Sequence, residues 1–226
     1  TPLDKEEQKK LESMSEDEKV TYWNKMWRNS LISDVYEPGS TFKLLTTAIA
    51  LEEGVTDLDS TYTCTGSIAV GDQILHCWSS DHPHGTQNLK QAVGNSCNPV
   101  FVQLATGIGI DKFYNYMATF GITGKTGIDF PGEGSAILQS KESAGPVGLA
   151  TIGFGQGVAV TPIQLITAIS SFGNEGKLLK PRLVKELRDS DGNTVEKFET
   201  EVVRQVVSKE TAEEICDIMQ FVVDEG

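Results

Sequence analysis

From Ser40 to Glu53 the chain reads STFKLLTTAIALEE, and Phe42, Leu44, Leu45, Ala48, Ile49 and Leu51 wrap every face of the helix that this spacing predicts. A helix that is apolar all round must be buried, so other elements have to enclose it. Gly54 follows as its stop. Into the first turn of this apolar segment the chain puts Lys43, with Ser40 three residues before it. Positions i and i+3 share a helix face, so hydroxyl and amine point at one spot. A lysine kept neutral there takes the serine's proton and makes it a nucleophile. Ser-x-x-Lys is also a frequent chance pairing, and a serine before a helix serves as its cap. Alone, the motif leaves both readings open.

Enclosing such a helix takes chain length. The 226 residues, 38% of them hydrophobic, suffice for one large domain or two small ones. A net charge of −13 leaves no excess of cations to neutralise phosphates, which argues against a nucleic-acid partner. No apolar run reaches the length that spans a bilayer, and the opening TPLDKEEQKK has no signal-peptide character. The chain starts without Met and stops at FVVDEG, so both ends are expected to be cut edges of something longer.

Residues 1–27 are charged and helix-prone, with a loose apolar stripe of Leu11, Met14, Val20, Tyr22, Trp23 and Trp27. They are expected to form a surface helical segment, packed by its second half on a domain spanning 28–226. After the buried helix, STYTCTGSIAVGDQILHCW predicts a hairpin around Gly71-Asp72. NLKQAVGNS, NPVFVQLATGIG and DKFYNYMATFG predict three helices, and 122–156 reads as loop-rich with many glycines. Thr161 and Pro162 open another helix. KPRLVKEL and TVEKFETEVVRQVV read as strands around Asp191-Gly192, and a last helix begins near Ser208.

A second polar cluster, Ser96-Cys97-Asn98, sits on a tight turn before a helix. The outer two residues of such a turn face one side and the middle one the other. Ser96 then relays a proton and Asn98 holds a substrate amide; the competing reading is a plain helix cap. Paired with Ser40-x-x-Lys43 some fifty residues earlier, the cluster matches two of the three motifs of the penicillin-recognising serine enzymes.

YEPGSTFK, NSCNPVFVQLA, GKTGIDFPGEG and GFGQGVAVTPIQL, in this order, closely resemble the transpeptidase domain of class B penicillin-binding proteins, nearest to its sporulation-specific branch. The likeness runs from about Trp27 to the C-terminal end. It implies an α/β (α+β) fold of the penicillin-binding protein and serine β-lactamase type, mostly its helical part, truncated before the Lys-Thr-Gly strand. It implies Ser40 as acylated nucleophile, Lys43 as general base, and Ser96 with Asn98 as second motif. The implied reaction is D,D-transpeptidation, cross-linking peptidoglycan stem peptides in cell wall or spore cortex, with β-lactams acylating the same serine. A glycosyltransferase partner, a membrane anchor N-terminal to this chain and a place on the extracytoplasmic face of the cell or forespore membrane come with it. A serine β-lactamase or β-lactam sensor, and a non-catalytic scaffold of a wall-building complex, are the alternatives. Lys125-Thr126-Gly127 spells the third motif but precedes Gly155-Gln156-Gly157, whereas the family's lies after it. The catalytic copy is therefore expected past Gly226, and the piece alone is expected to be a poor catalyst.

Four cysteines, at 64, 77, 97 and 216, are too few for a disulfide scaffold. Counting from the Gly71-Asp72 turn, Cys64 falls opposite Ser79 and Cys77 opposite Gly66, which makes the two cysteines diagonal neighbours on one face. A diagonal separation of ~7 Å exceeds the ~3.5–4.5 Å that a disulfide needs. Free thiols or a metal remain, and DHPHG follows at once. Cys64, Cys77 and His84 resemble the pattern of a zinc-binding subset of the family, which implies a structural zinc. Asp81, His82 or Cys97 supplies the fourth ligand, Asp81 being favoured because it reaches back along the same loop. Cys97 is otherwise expected under its helix, and Cys216 in the core.

Overall fold

The computed structural model describes residues 5–225. Helices α1 (Lys5–Glu12), α2 (Glu16–Trp27) and α3 (Ser30–Ser33) come first. A 3-10 turn (Gly39–Phe42) runs into α4 (Lys43–Glu52). Strands β1 (Thr61–Cys64), β2 (Ser67–Val70), β3 (Gln73–His76) and β4 (Gly85–Asn88) follow, then α5 (Leu89–Gly94), α6 (Asn98–Ile108) and α7 (Ile110–Thr119). After β5 (Ile137–Leu138), α8 (Lys141–Ile152), β6 (Val158–Ala159) and α9 (Pro162–Ser170), the chain ends in β7 (Lys177–Leu179), β8 (Glu186–Arg188), β9 (Thr194–Lys197), β10 (Val202–Gln205) and α10 (Lys209–Glu225).

The all-round apolar helix sits where its pattern requires. α4 is enclosed by α6, α9 and α10, and Phe42, Leu45, Ala48, Ile49 and Ala50 are buried. Each large side chain in that set contributes about 1.5–3 kcal/mol by leaving water. Its two buried threonines are satisfied, Thr46 donating to the Gly153 carbonyl (2.7 Å) and Thr47 to that of Lys43 (2.8 Å). The strands form five two-stranded antiparallel pairs, among the described residues. The mixed helix-and-strand class and the helical preponderance agree with the expected fold.

Several expectations change. No residue of α2 is buried, so that helix does not bury its stripe on the body. The β2–β3 hairpin turns at Gly71-Asp72 as expected, with Ser67 opposite His76. β1 does not continue it: it pairs with β4, Cys64 standing opposite Gly85. The break falls at Gly66, whose φ of +95° and approach to the Ser80 carbonyl (2.8 Å from an added Cβ) send the strand elsewhere. Within the loop-rich stretch 122–156 the sequence marked no helix, yet α8 forms there across a non-helical Gly145 just before Pro146. KPRLVKEL is extended strand only from Glu186; before it, the Asp129 carboxylate takes the N–H groups of Leu183 (2.6 Å) and Val184 (3.0 Å). Cys216 is exposed, since Ile215 and Ile218 take the inner face of α10.

Candidate active site

The 3-10 turn carries Ser40, and Lys43 is the first residue of α4, one turn along. The turn is stitched to a distant segment. Tyr36 and Val160 exchange backbone bonds of 3.0 Å, and the Gly39 N–H donates to the Gly155 carbonyl (3.0 Å). A Cβ on Gly155 would lie 2.0 Å from the Gly39 oxygen, so only glycine lets the two turns meet. The Glu37 carboxylate accepts from the Gly157 N–H (2.9 Å). GFGQG therefore buttresses the serine's turn. The sequence marked the Gly155-Gln156-Gly157 turn but not its contact with the serine's turn, for which the glycine density around Gln156 was the available signal.

Lys43 is almost fully buried. Its ammonium donates to the Ser96 carbonyl (2.7 Å), the Ser96 hydroxyl (2.8 Å) and the Asn98 Oδ1 (2.8 Å), and lies 5.1 Å from the Phe101 ring centroid. The Ser96 hydroxyl donates onward to Ser40 Oγ (2.8 Å), and the Asn98 amide nitrogen to the His76 carbonyl (3.2 Å). Burial pulls the Lys43 pKa down to about 8, with the neighbouring Cys97 and Cys77 acting in the opposite direction. With that value roughly a tenth of the lysine is neutral at pH 7. Neutral Lys43 accepts from Ser96, which accepts from Ser40: the serine's proton has a continuous route to the amine. The route runs through Ser96, in the relay position read from its turn, and not directly from Ser40 to Lys43 as their own spacing suggested.

The turn that supplies Ser96 is itself strained. Ser96 has φ +50°, a left-handed conformation that costs a non-glycine residue about 1–3 kcal/mol. Bonds from its N–H to the Val93 carbonyl (2.9 Å) and from the Cys97 N–H to the Ala92 carbonyl (3.0 Å) hold it. The outcome is the expected division, with Ser96 and Asn98 facing Lys43 and Cys97 fully buried behind them. A cleft of about 350 Å³ opens over the serine, lined by Ser40, Trp78, Ser96, Asn98, Phe154 and Gln156.

None of Lys125, Thr126 and Gly127 lines that cleft. The Thr126 N–H (2.5 Å), its hydroxyl (2.6 Å) and the Gly127 N–H (3.1 Å) all donate to the Glu133 carboxylate. Those donors are spent on the loop's own carboxylate.

Behind the Ser96 turn, one ligand atom each from Cys64, Cys77, His84 and Cys97 lie within 4.8 Å of one another. Cys77 Sγ and His84 Nδ1 are 3.6 Å apart. The strand ends gather them: Cys64 closes β1, Cys77 follows β3, His84 precedes β4 and Cys97 precedes α6. Three of the expected metal residues thus meet. Asp81 does not join them, being exposed on its loop, and Cys97 completes the set. Burial pushes the Cys97 thiol up to about 12, aided by its hydrogen bond with Cys64. Burial works the same way on Cys64, yet the N–H groups of Gly66 and His84 and the neighbouring thiols outweigh it and bring that thiol below its ordinary value. Three thiols and one imidazole around a common centre are the donor set of a closed tetrahedral zinc site.

A serine hydrogen-bonded through a second serine to a buried, pKa-depressed lysine, beneath an open cleft, is an arrangement that can activate a serine hydroxyl as a nucleophile. The chain belongs to the family of penicillin-binding protein transpeptidase domains, whose model matches residues 3–226. It is similar to stage V sporulation protein D of Bacillus subtilis, 44% identical over 202 residues, which covers 88% of this chain and 31% of that protein. Among solved structures it resembles the D,D-transpeptidase domain of a peptidoglycan glycosyltransferase from Eggerthella lenta (27% identity, TM-score 0.80, 88% of this chain and 51% of that one). It also resembles penicillin-binding protein 3 of Mycobacterium tuberculosis complexed with aztreonam (26% identity, TM-score 0.78, 88% of this chain and 44% of that one). The chain thus spans about a third of the first relative and about half of each solved chain.

Proposed function

We propose that this chain carries the nucleophile half of a peptidoglycan D,D-transpeptidase that works through an acyl-enzyme on Ser40. The hydrogen-bonded chain from Ser40 through Ser96 to Lys43 is the observation that carries the reading. Ser40 Oγ attacks the carbonyl of the penultimate residue of a stem peptide, and its proton passes through Ser96 to neutral Lys43. The tetrahedral adduct collapses as the proton returns to the departing amine, and D-alanine leaves. An amine from a neighbouring stem peptide then takes the acyl group and releases Ser40. In a β-lactam the same attack opens the ring, leaving the leaving amine tethered.

The third motif is assigned outside these 226 residues, because the donors of Thr126 and Gly127 are occupied by Glu133. Full activity is accordingly assigned to the longer protein and poor activity to this piece. The 44% identity to a stage V sporulation protein supports a role in spore cortex synthesis. The likeness to a domain of the Eggerthella lenta peptidoglycan glycosyltransferase supports a glycosyltransferase partner or domain. Action at the extracytoplasmic face of the membrane, through an anchor preceding this chain, completes the reading. Among the described residues no helix is long and apolar enough to cross a membrane.

The Cys64, Cys77, His84 and Cys97 set is proposed to hold one structural zinc, since its donors and their closeness fit that ion. Cys64, Cys77, His84 and Cys97 would hold the ion between four strand and helix ends, where it would serve as a structural brace. Cys97 lies between Ser96 and Asn98, so holding it holds both active-site partners.

The test is intact-mass and peptide mapping of the full-length protein after benzylpenicillin treatment. A lasting adduct on Ser40, lost in Ser40→Ala, is the expected result. An adduct on another serine overturns the nucleophile, rapid turnover makes the protein a β-lactamase, and no adduct makes it a scaffold.

A further inference from the structure

Trp78 stands out among the residues around Ser40 because it is 69% exposed yet held in place. Its indole N–H donates to the Asn95 carbonyl (2.8 Å), and its ring lies 5.5 Å from the His84 imidazole at an interplanar angle of 58°. The polar edge of the indole is thereby satisfied, and its apolar surface is left in the cleft with Ser40, Ser96 and Asn98. A large aromatic side chain loses little conformational freedom when it binds if its rotamer is already fixed. A fixed, exposed aromatic wall in a cleft is what a ligand's apolar part packs against.

We infer that Trp78 is a substrate-positioning residue, its ring packing on the amide-bearing arm of the ligand where that arm runs along the Ser96–Asn98 wall of the cleft. The inference rests on the acyl-enzyme reading and adds a specificity element to it. The side is set by connectivity: Trp78 is tied to Asn95, one residue before Ser96 and three before Asn98, so its ring borders that wall of the cleft. The ligand class is an acyl donor with an apolar or aromatic group next to the amide, or the aliphatic stem of a peptide residue in that position. His84 and Cys77, the latter next in sequence, tie the indole to the thiol–imidazole cluster as well. No proton or bond change is assigned to Trp78.

The experiment compares two penicillins on the full-length protein: benzylpenicillin, and 6-aminopenicillanic acid, which has the same ring system without the phenylacetyl group. Trp78→Ala is expected to lower the second-order acylation constant for benzylpenicillin about tenfold, mostly by weakening the initial complex, with the limiting acylation rate within about twofold. The same variant should change 6-aminopenicillanic acid by less than about twofold, and Trp78→Phe should recover most of the loss. Equal losses on both probes, carried by the limiting rate, would make Trp78 a structural support and overturn the inference. An unchanged constant for benzylpenicillin would also overturn it, while leaving Ser40 acylation in place. Failure of wild-type Ser40 to acylate with either probe would remove the parent reading and this inference with it.

Discussion

Two lysine-bearing motifs in this chain have the letters of one enzyme family and opposite surroundings. Lys43 enters a helix buried on all sides, and its amine finds three acceptors on a turn some fifty residues away. Lys125 is exposed on a loop whose neighbouring donors close on Glu133. Motif spelling is the same kind of evidence in both places, yet only one is placed for proton transfer. What separates them is burial and the company of hydroxyls: burial brings Lys43 toward neutrality, and Ser96 gives its proton somewhere to come from.

That contrast is most sharply probed by removing the two amines in turn. Lys43→Ala in the full-length protein should slow benzylpenicillin acylation by about three orders of magnitude or more, the range expected when a general base is lost. Circular dichroism should stay unchanged, because the helix keeps its apolar faces. A loss under tenfold would detach Lys43 from the chemistry. An intermediate effect is expected at the thiol–imidazole set. Chelation, or Cys97→Ser, should lower the thermal midpoint by several degrees and weaken acylation second, since Cys97 holds the turn that bears Ser96 and Asn98. Acid should release the same metal as the thiolates take up protons. Metal analysis finding none, with the buried thiols freely titratable in the folded protein, would contradict the zinc proposal. The smallest effect belongs to Lys125→Ala, expected to leave acylation within about threefold of wild type. A collapse there at unchanged stability would reverse the contrast.

Much of this was legible in the sequence. The buried helix was readable from Phe42, Leu45, Ala48 and Ile49, and the shared face of Ser40 and Lys43 from their spacing. The two-sided turn at Ser96-Cys97-Asn98 was equally local. What the sequence hid depended on chain departures that no periodicity marks. Gly66 takes Cys64 off the hairpin, so the count that made it a diagonal neighbour of Cys77 failed although the two residues do meet. Cys97 does pack under its helix, but what lies under that helix is the cysteine–histidine set, whereas Asp81 was favoured on loop adjacency alone. The Gly145-Pro146 pair disguised α8 as loop, and the stripe on α2 gave no sign that the body would leave it uncovered. Long-range pairings such as Gly39 with Gly155 leave only a glycine as their trace.

The central claim is that Lys43 acts as a base because burial has lowered its pKa to about 8 from its ordinary 10.5. Only the neutral amine takes the proton from Ser96, so the sign is fixed: acylation must rise with pH while Lys43 is being deprotonated. The second-order acylation constant of the full-length protein with benzylpenicillin should therefore climb about tenfold per pH unit below the pKa and level off above it, with its midpoint near 8. A profile that stays flat from about pH 6 to 10, or one that falls across that range, would contradict the assignment of Lys43 as the base.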